Sequence, residues 1–261
     1  MGYDARVLSA REQADHEAEH TPEAVWARLR AGPRDSYLRD WVYGAIDGTV
    51  TTFAVVAGVA GAELSGRIVL ILGAANLIAD GFSMAVSNYL GTRAEQQRVD
   101  RLRREEEDHV ARYPEGEREE VRQIFAAKGF EGEILERVVE VITSDRRRWV
   151  ETMLAEEFGL SAAGPRPVRA AAVTFFAFVV VGCLPLLTFV YNAVAPETYR
   201  VTEPFIGSAL LAGVAFFVVG AAKSRFIDAT WWSSGLKTLF IGAIAAALAY
   251  GIGSLLKGFP V

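Results

Sequence analysis

Cysteine is almost absent from this chain. The one cysteine, Cys183, excludes an intrachain disulfide and, lying in an apolar run, reads as a packing residue. An excess of basic charge is also missing. The 27 Lys and Arg residues face 32 Asp and Glu, for a net charge of −5 and a pI near 5.4, which excludes nucleic acid as a partner. No apolar stretch opens the chain: the first forty residues are polar and charged. No cleavable signal peptide is therefore expected, and the first apolar segment is expected to act as its own insertion signal. The most telling absence is local. Residues 41–91 and 168–257 are nearly devoid of charge, whereas 1–40 and 92–166 are crowded with Arg, Glu and Asp. A soluble domain mixes apolar and polar residues at helical or strand periods. The segregation seen here marks an integral membrane protein.

A spanning helix takes about 20 mostly apolar residues, and five segments qualify: 41–62, 67–91, 168–194, 203–223 and 233–257. The link Ala62-Glu63-Leu64-Ser65-Gly66 is short enough to force the first two into a hairpin. Small residues recur at four-residue spacing in Gly44/Gly48, Ala54/Gly58 and Ala243/Ala247/Gly251. Such faces let helices approach closely in lipid, or simply reflect membrane-helix composition. Basic residues set the topology. Arg28, Arg30, Arg34 and Arg39 precede span 1; Arg93, Arg98, Arg101, Arg103 and Arg104 follow span 2; Lys223 and Arg225 follow span 4. The opposite side has Arg67, Arg200 and Lys257. The positive-inside rule then puts the N-terminus and residues 92–166 in the cytoplasm and the C-terminus outside. Because 23 of the 27 basic residues are arginine, a GC-rich bacterial genome is expected, and with it the bacterial inner membrane.

The expected fold is an all-α membrane protein: five transmembrane helices, with a cytoplasmic helical metal-binding insert between spans 2 and 3. Its parts are a cytoplasmic tail with one short helix (1–36), spans 1 and 2 (37–91), the insert (92–166) and spans 3 to 5 (167–261). Span 2 is expected to run on past Gly91 as a charged helix ending near Arg112. Pro114 suits the first turn of a helix over about 115–128 that stops at Gly129. A third helix covers about 131–143, and Asp145 caps a fourth that ends at Gly159. Gly164-Pro165-Arg166-Pro167 leads back to the membrane. In the tail, Thr21-Pro22-Glu23 opens a helix that stops at Gly32, and residues 1–15 are expected to be disordered.

An ionisable side chain inside a span costs at least about 2.5–3.5 kcal/mol, so it normally faces a partner or a water path. Asp47 and Asp80 are such groups. Asn76, Asp80, Met84 and Asn88 recur every four residues and share one face of span 2, while Tyr43, Asp47 and Thr51 make a similar stripe on span 1. Two hairpin-linked helices with these stripes suit a cation path better than simple packing. Met84 reads equally as apolar filler or as a ligand. A thioether beside carboxylates favours a first-row ion such as Fe²⁺ over Mg²⁺ or Ca²⁺. Spans 3 to 5 read as scaffold.

The segments Asp47-Gly48, Thr51-Thr52-Phe53-Ala54, Ala79-Asp80-Gly81-Phe82-Ser83-Met84-Ala85 and Tyr89-Leu90 resemble the vacuolar iron transporter family. The likeness extends through Trp149 and Gly159-Leu160 to Gly235-Leu236 and Ile241-Gly242, covering roughly residues 37–257. It implies a five-span homodimer that carries Fe²⁺, with Mn²⁺ and Co²⁺ as further candidates, out of the cytosol in exchange for protons. No permanently bound cofactor is implied; the metal is the substrate. The implied path lies between subunits, lined by spans 1 and 2. Asp47 matches the family's span-1 acid and Met84 its span-2 methionine. Glu106, Glu117, Glu120, Met153 and Glu157 match metal-collecting positions. Three positions depart from the pattern. Asn76 replaces a glutamate, with Asp80 one turn along as a substitute charge; Leu154 replaces a second methionine; His109 replaces a second acid and ligates when neutral. Spacing agrees with this set, since Glu106/His109 and Glu117/Glu120 are three apart and Met153/Glu157 four apart, each pair on one helix face. Any one of these acids alone would read as a solvated face.

His16-Glu17-Ala18-Glu19-His20 spells the zinc-protease signature. That chemistry needs a third ligand and a substrate cleft, which a polar tail does not offer. The two histidines can share a helix face and bind metal weakly, or belong to an ordinary solvated tail. Glu17–His20 and Glu106–His109 also fit the Glu-x-x-His pattern of di-iron bundles. This raises a membrane-anchored ferroxidase as an alternative, although the insert helices look too short and charged for its core. A metal-responsive sensor without transport is a third reading, one with no use for Asp47 and Met84. The reading adopted is a divalent-metal transporter whose partners are metal ions, protons, the lipid bilayer and a second copy of itself.

Overall fold

The computed structural model of the protein describes residues 10–31, 36–160, 164–225 and 229–258. The expectations for residues 1–9, Gly32 and Arg34 lie outside these. Among the described residues every regular element is helical. Two short helices, α1 (Ala10–Glu19) and α2 (Pro22–Ala31), precede the first long one. Residues 10–15 thus open a helix, where disorder was expected. The run Arg11-Glu12-Gln13-Ala14-Asp15 is made of helix-compatible residues with no glycine or proline to stop it.

Five helical segments are long and apolar enough to cross a membrane, as the sequence predicts, the third of them, Pro167–Val194, being made of two helices. The first, α3 (Leu38–Gly61), is the centre of the group, with α4 (Gly66–Arg112), α8 (Pro167–Gly182), α10 (Pro204–Lys223) and α11 (Trp231–Leu256) packed around it. Lipid tails provide no hydrophobic drive between helices, so close backbone approach has to do that work. Gly44 and Gly48 supply it. A Cβ at Gly44 would lie 2.3 Å from the Thr174 carbonyl oxygen, and one at Gly48 would lie 2.4 Å from that of Phe178. The aromatic and branched side chains Phe53, Val56, Phe178 and Phe216 fill the core beside these contacts.

In α11 the packed face differs from the expected one. Ala243 and Ala247 are exposed, and a Cβ on Gly251 would meet open space. Ser234, Gly235, Thr238, Gly242 and Gly253 are buried instead, and a Cβ on Gly253 would lie 2.1 Å from the Gly58 carbonyl. Steps of three and four residues keep one side of a 3.6-residue helix in contact, and two small-residue rows compete on this sequence.

Span 3 is broken where one continuous helix was expected. It stops at Gly182, passes through a short 3₁₀ turn, and resumes as α9 (Leu187–Val194). Pro185 has no N–H for the helical ladder and its ring collides with the preceding turn. The Ser208 hydroxyl on α10 donates to the Pro185 carbonyl at 2.6 Å and satisfies one of the backbone groups near the break.

At 47 residues, α4 is one unbroken helix that ends at Arg112. Its length is about 70 Å, more than twice the roughly 30 Å of a hydrocarbon core, so its second half projects out of the span. Three short helices fold back on that projection: α5 (Pro114–Ala127), α6 (Gly132–Thr143) and α7 (Arg146–Glu156). Asp145 caps α7 by accepting the Arg148 N–H at 2.8 Å. Gly129 at φ 92° turns the chain after α5. Val121, Val139, Trp149, Val150, Met153 and Leu154 form a separate apolar core for this insert.

Two contacts register the ends of the spans. Lys257, just past α11, pairs with Glu63 in the α3–α4 link. At the other end Tyr37, just before α3, accepts the Arg166 N–H at 3.1 Å.

Candidate functional site

The projection of α4 aims Glu106 and His109 at α5, where Glu117 meets them. Each of the three offers a ligand atom within 4.8 Å of the other two. His109 Nδ1 stands 3.5 Å from Glu117 Oε1 and 3.9 Å from Glu106 Oε1. Glu106 and Glu117 are buried, at 3% and 6% exposure, while His109 remains half-exposed on the outer side. Burial of two acids follows from helix phase: Val110 and Val121, each four residues after a buried acid and so on its helix face, anchor α4 and α5 in the insert core.

The electrostatics of this group are unusual for glutamates. Burial, then the charges of Glu117 and Glu157, push the Glu106 pKa up to about 7, with His109 opposing the shift. Glu117 is raised mainly by burial and then by Glu120; Glu157 is raised by burial and Glu120. One oxygen on each of Glu106 and Glu117, Oε2, is buried without a hydrogen-bond partner. An unsatisfied buried polar group costs about 1–3 kcal/mol, more when charged. A divalent cation among these groups would satisfy both oxygens and displace the proton that the raised Glu106 pKa retains. Oxygen and imidazole ligands together suit first-row divalent ions.

Of the other predicted insert residues, two glutamates act on this group and the methionine belongs to the apolar core. Glu120 is exposed on α5 and Glu157 lies just past the end of α7, both acting on the buried pair through their charge. Met153 is fully buried in the apolar core, and Leu154 beside it at 2% exposure packs there too.

Within the spans, Asn76, Asp80, Met84 and Asn88 are all half-buried along one side of α4, as their spacing predicts. The two amides are tied to the scaffold. Asn76 Nδ2 donates to Thr51 Oγ1 at 3.3 Å, and Thr51 donates to the Asp47 carbonyl at 2.9 Å. Asn88 Nδ2 donates to Asp40 Oδ1 at 2.9 Å and to Thr174 Oγ1 at 2.7 Å. Asp47 and Asp80 lie close enough for their charges to interact. Among the described residues neither carboxylate is hydrogen-bonded or paired with a cation. Met84 packs against the apolar core.

Asp40 is the residue that sequence reasoning passed over. It is buried at 4% exposure in the first turn of α3 and held by Asn88. Its position seven residues before Asp47, two helical turns along the same face, was the available signal. Asp40 and Asn88 line a cleft of about 1170 Å³ between the spans and the insert, together with Thr92, Asp100, Leu160 and Arg166.

The family model described as the VIT family matches residues 38–254, a range that includes every residue of these two groups. A protein named vacuolar iron transporter from Toxoplasma gondii is 32% identical over 247 residues, covering 93% of this chain and 78% of its own. Vacuolar iron transporter 1 of Eucalyptus grandis is 32% identical over 216 residues, 82% of this chain and 84% of its own. Vacuolar iron transporter 1 of Arabidopsis thaliana is 31% identical over 221 residues, 84% of this chain and 86% of its own.

Proposed function

This chain belongs to the VIT family, and from that premise we propose that it transports Fe²⁺, and related ions such as Mn²⁺ and Co²⁺, across a membrane. It is a membrane transport protein and not an enzyme. The observation that carries the metal reading is the pair of buried carboxyls, Glu106 and Glu117, each with an unpartnered oxygen and with His109 between them and solvent. No resident cofactor is needed, because the ion is cargo.

In this reading Glu106, His109, Glu117, Glu120 and Glu157 collect the ion on the insert, and Met153, buried in the adjoining apolar core, adds a thioether ligand only if the core opens. The ion then enters the cleft at Asp40 and Asn88 and passes Asp47, Asp80 and Met84 between α3 and α4. The chemistry of the collecting group supports proton antiport. A carboxyl held at a pKa of about 7 carries a proton about half the time at neutral pH and gives it up to an arriving cation. A second copy of the chain completes the path: Ile71, Ile78 and Phe82 on α4 are exposed large apolar residues beside the half-buried polar stripe. The arginines before α3 and along α4 favour a cytosolic tail and insert, an outer C-terminus, and export from the cytosol, with the bacterial inner membrane as the setting. Flux of Fe²⁺ into proteoliposomes, with and without a pH gradient, tests the proposal.

A further inference from the structure

Two of the chain's three histidines lie outside both groups described above and outside the residues matched by the family. His16 on α1 and His20, the turn residue just past its end, are both exposed, with ring centroids 6.3 Å apart and planes tilted by 40°. Four residues apart, they lie one above the other at the C-terminal end of that helix. His20 Nδ1 lies 2.7 Å from the His16 carbonyl oxygen. A carbonyl oxygen only accepts, so Nδ1 is the donor and holds the ring proton. In the neutral ring the lone pair is then left on Nε2, facing away from the backbone. This is the arrangement that orients metal-binding imidazoles generally: one ring nitrogen donates to a carbonyl, fixing the tautomer and raising the basicity of the other. The helix itself thus supplies the supporting hydrogen bond for a ligand.

We propose that α1 carries a second metal site, in which His20 Nε2 and a ring nitrogen of His16 bind one late first-row divalent ion, Ni²⁺, Cu²⁺ or Zn²⁺, with water completing its coordination. Metal–nitrogen bonds of about 2.0–2.1 Å draw two imidazoles about 1 Å closer than their present separation. Side-chain rotation at two exposed residues supplies that change. Nitrogen ligands follow the order that places Fe²⁺ and Mn²⁺ below Ni²⁺, Cu²⁺ and Zn²⁺. Imidazole ligands suit Ni²⁺, Cu²⁺ and Zn²⁺ better than carboxylates do, so the two sites differ in ligand type, and this one stands whether or not the group on α4 and α5 serves iron transport. Glu17 and Glu19, exposed between the histidines in sequence, add negative charge that favours a cation.

The test is titration of the untagged full-length chain in detergent with Ni²⁺ alone, followed by calorimetry, beside H16Q/H20Q, H109Q and A18P. Wild type and H109Q are expected to share a Ni²⁺ site that H16Q/H20Q loses or binds at least tenfold more weakly. Ala18→Pro keeps both histidines but breaks their helix, and is expected to weaken the site by a similar factor. With Cu²⁺ as the probe, electron paramagnetic resonance should show coupling to two imidazole nitrogens in wild type and not in H16Q/H20Q. Equal Ni²⁺ affinity and stoichiometry in wild type and H16Q/H20Q would overturn the proposal. So would an Ala18→Pro chain that binds as tightly as wild type, or loss of all Ni²⁺ binding in H109Q alone.

Discussion

Glu106 and Glu117 bury their carboxyl groups close together, with a ligand oxygen of each within 4.8 Å of the other, and each keeps one oxygen that no donor reaches. Such a pair is costly until a cation arrives. We expect the double substitution Glu106→Gln, Glu117→Gln to weaken divalent-metal binding to the insert by more than the about 10–100-fold that loss of a mere supporting contact costs. The metal-free protein should melt no earlier than wild type at pH 7.5, because neutral amides remove the repulsion. Calorimetry and thermal melts in detergent read both effects. Unchanged affinity would remove the pair from the site.

The direction of pH dependence follows from the same group. Glu106 titrates near 7 in the folded insert against an ordinary value of 4.5. Between those values the folded chain binds more protons than the unfolded one, so metal-free stability falls as pH rises through about 7. Metal affinity runs the other way. The ion displaces the proton, so affinity climbs from pH 5 to 7.5, by up to about tenfold per pH unit for each proton released, and then levels off. Metal-free melting temperatures and Mn²⁺ dissociation constants should therefore both fall as pH rises across this range.

Asn88 joins three spans by donating to Asp40 on α3 and Thr174 on α8. Asn88→Ala strands a buried carboxylate and should cost about 1–3 kcal/mol or more. Asn88→Asp should cost more still, since it sets a like charge against Asp40. Thermal unfolding in detergent measures this, and a wild-type melt for Asn88→Ala would contradict it.

Gly48 and Gly251 should respond oppositely to the same added methyl. At Gly48 the new Cβ would meet the Phe178 carbonyl at 2.4 Å, forcing α3 and α8 apart at a cost of about 1–3 kcal/mol. At Gly251 nothing lies within 4 Å, so Gly251→Ala should stay within about 0.5 kcal/mol of wild type. Parallel melts of the two variants decide this.

What could be read from the sequence depended on which physical signal each feature leaves. Charge segregation announces spans, and all five were legible. The run-on of α4 to Arg112 and the Asp145 cap also followed, because both are local. The break at Pro185 was foreshadowed by a proline, but an apolar run of 28 residues hides it. In α11 two rows of small residues are equally plausible, and only tertiary packing selects Gly242 and Gly253 over Ala243 and Gly251. At the site, helical spacing grouped Glu106 with His109 and Glu117 with Glu120. It did not reveal that Glu106 and Glu117 are buried while Glu120 is exposed, because burial depends on how α5 docks on α4. Asp40 went unnoticed since it lies among charged residues before the apolar run, where a carboxylate looks ordinary.

The most direct test of the transport reading is Fe²⁺ entry into proteoliposomes holding a trapped fluorescent chelator, for wild type and Asp47→Ala, with and without an imposed pH gradient. Wild type is expected to give flux that depends on the gradient. Asp47→Ala is expected to elute as wild type does in size exclusion and to give none. Wild-type flux in the variant, or wild-type flux indifferent to the gradient, would contradict proton-coupled passage through Asp47.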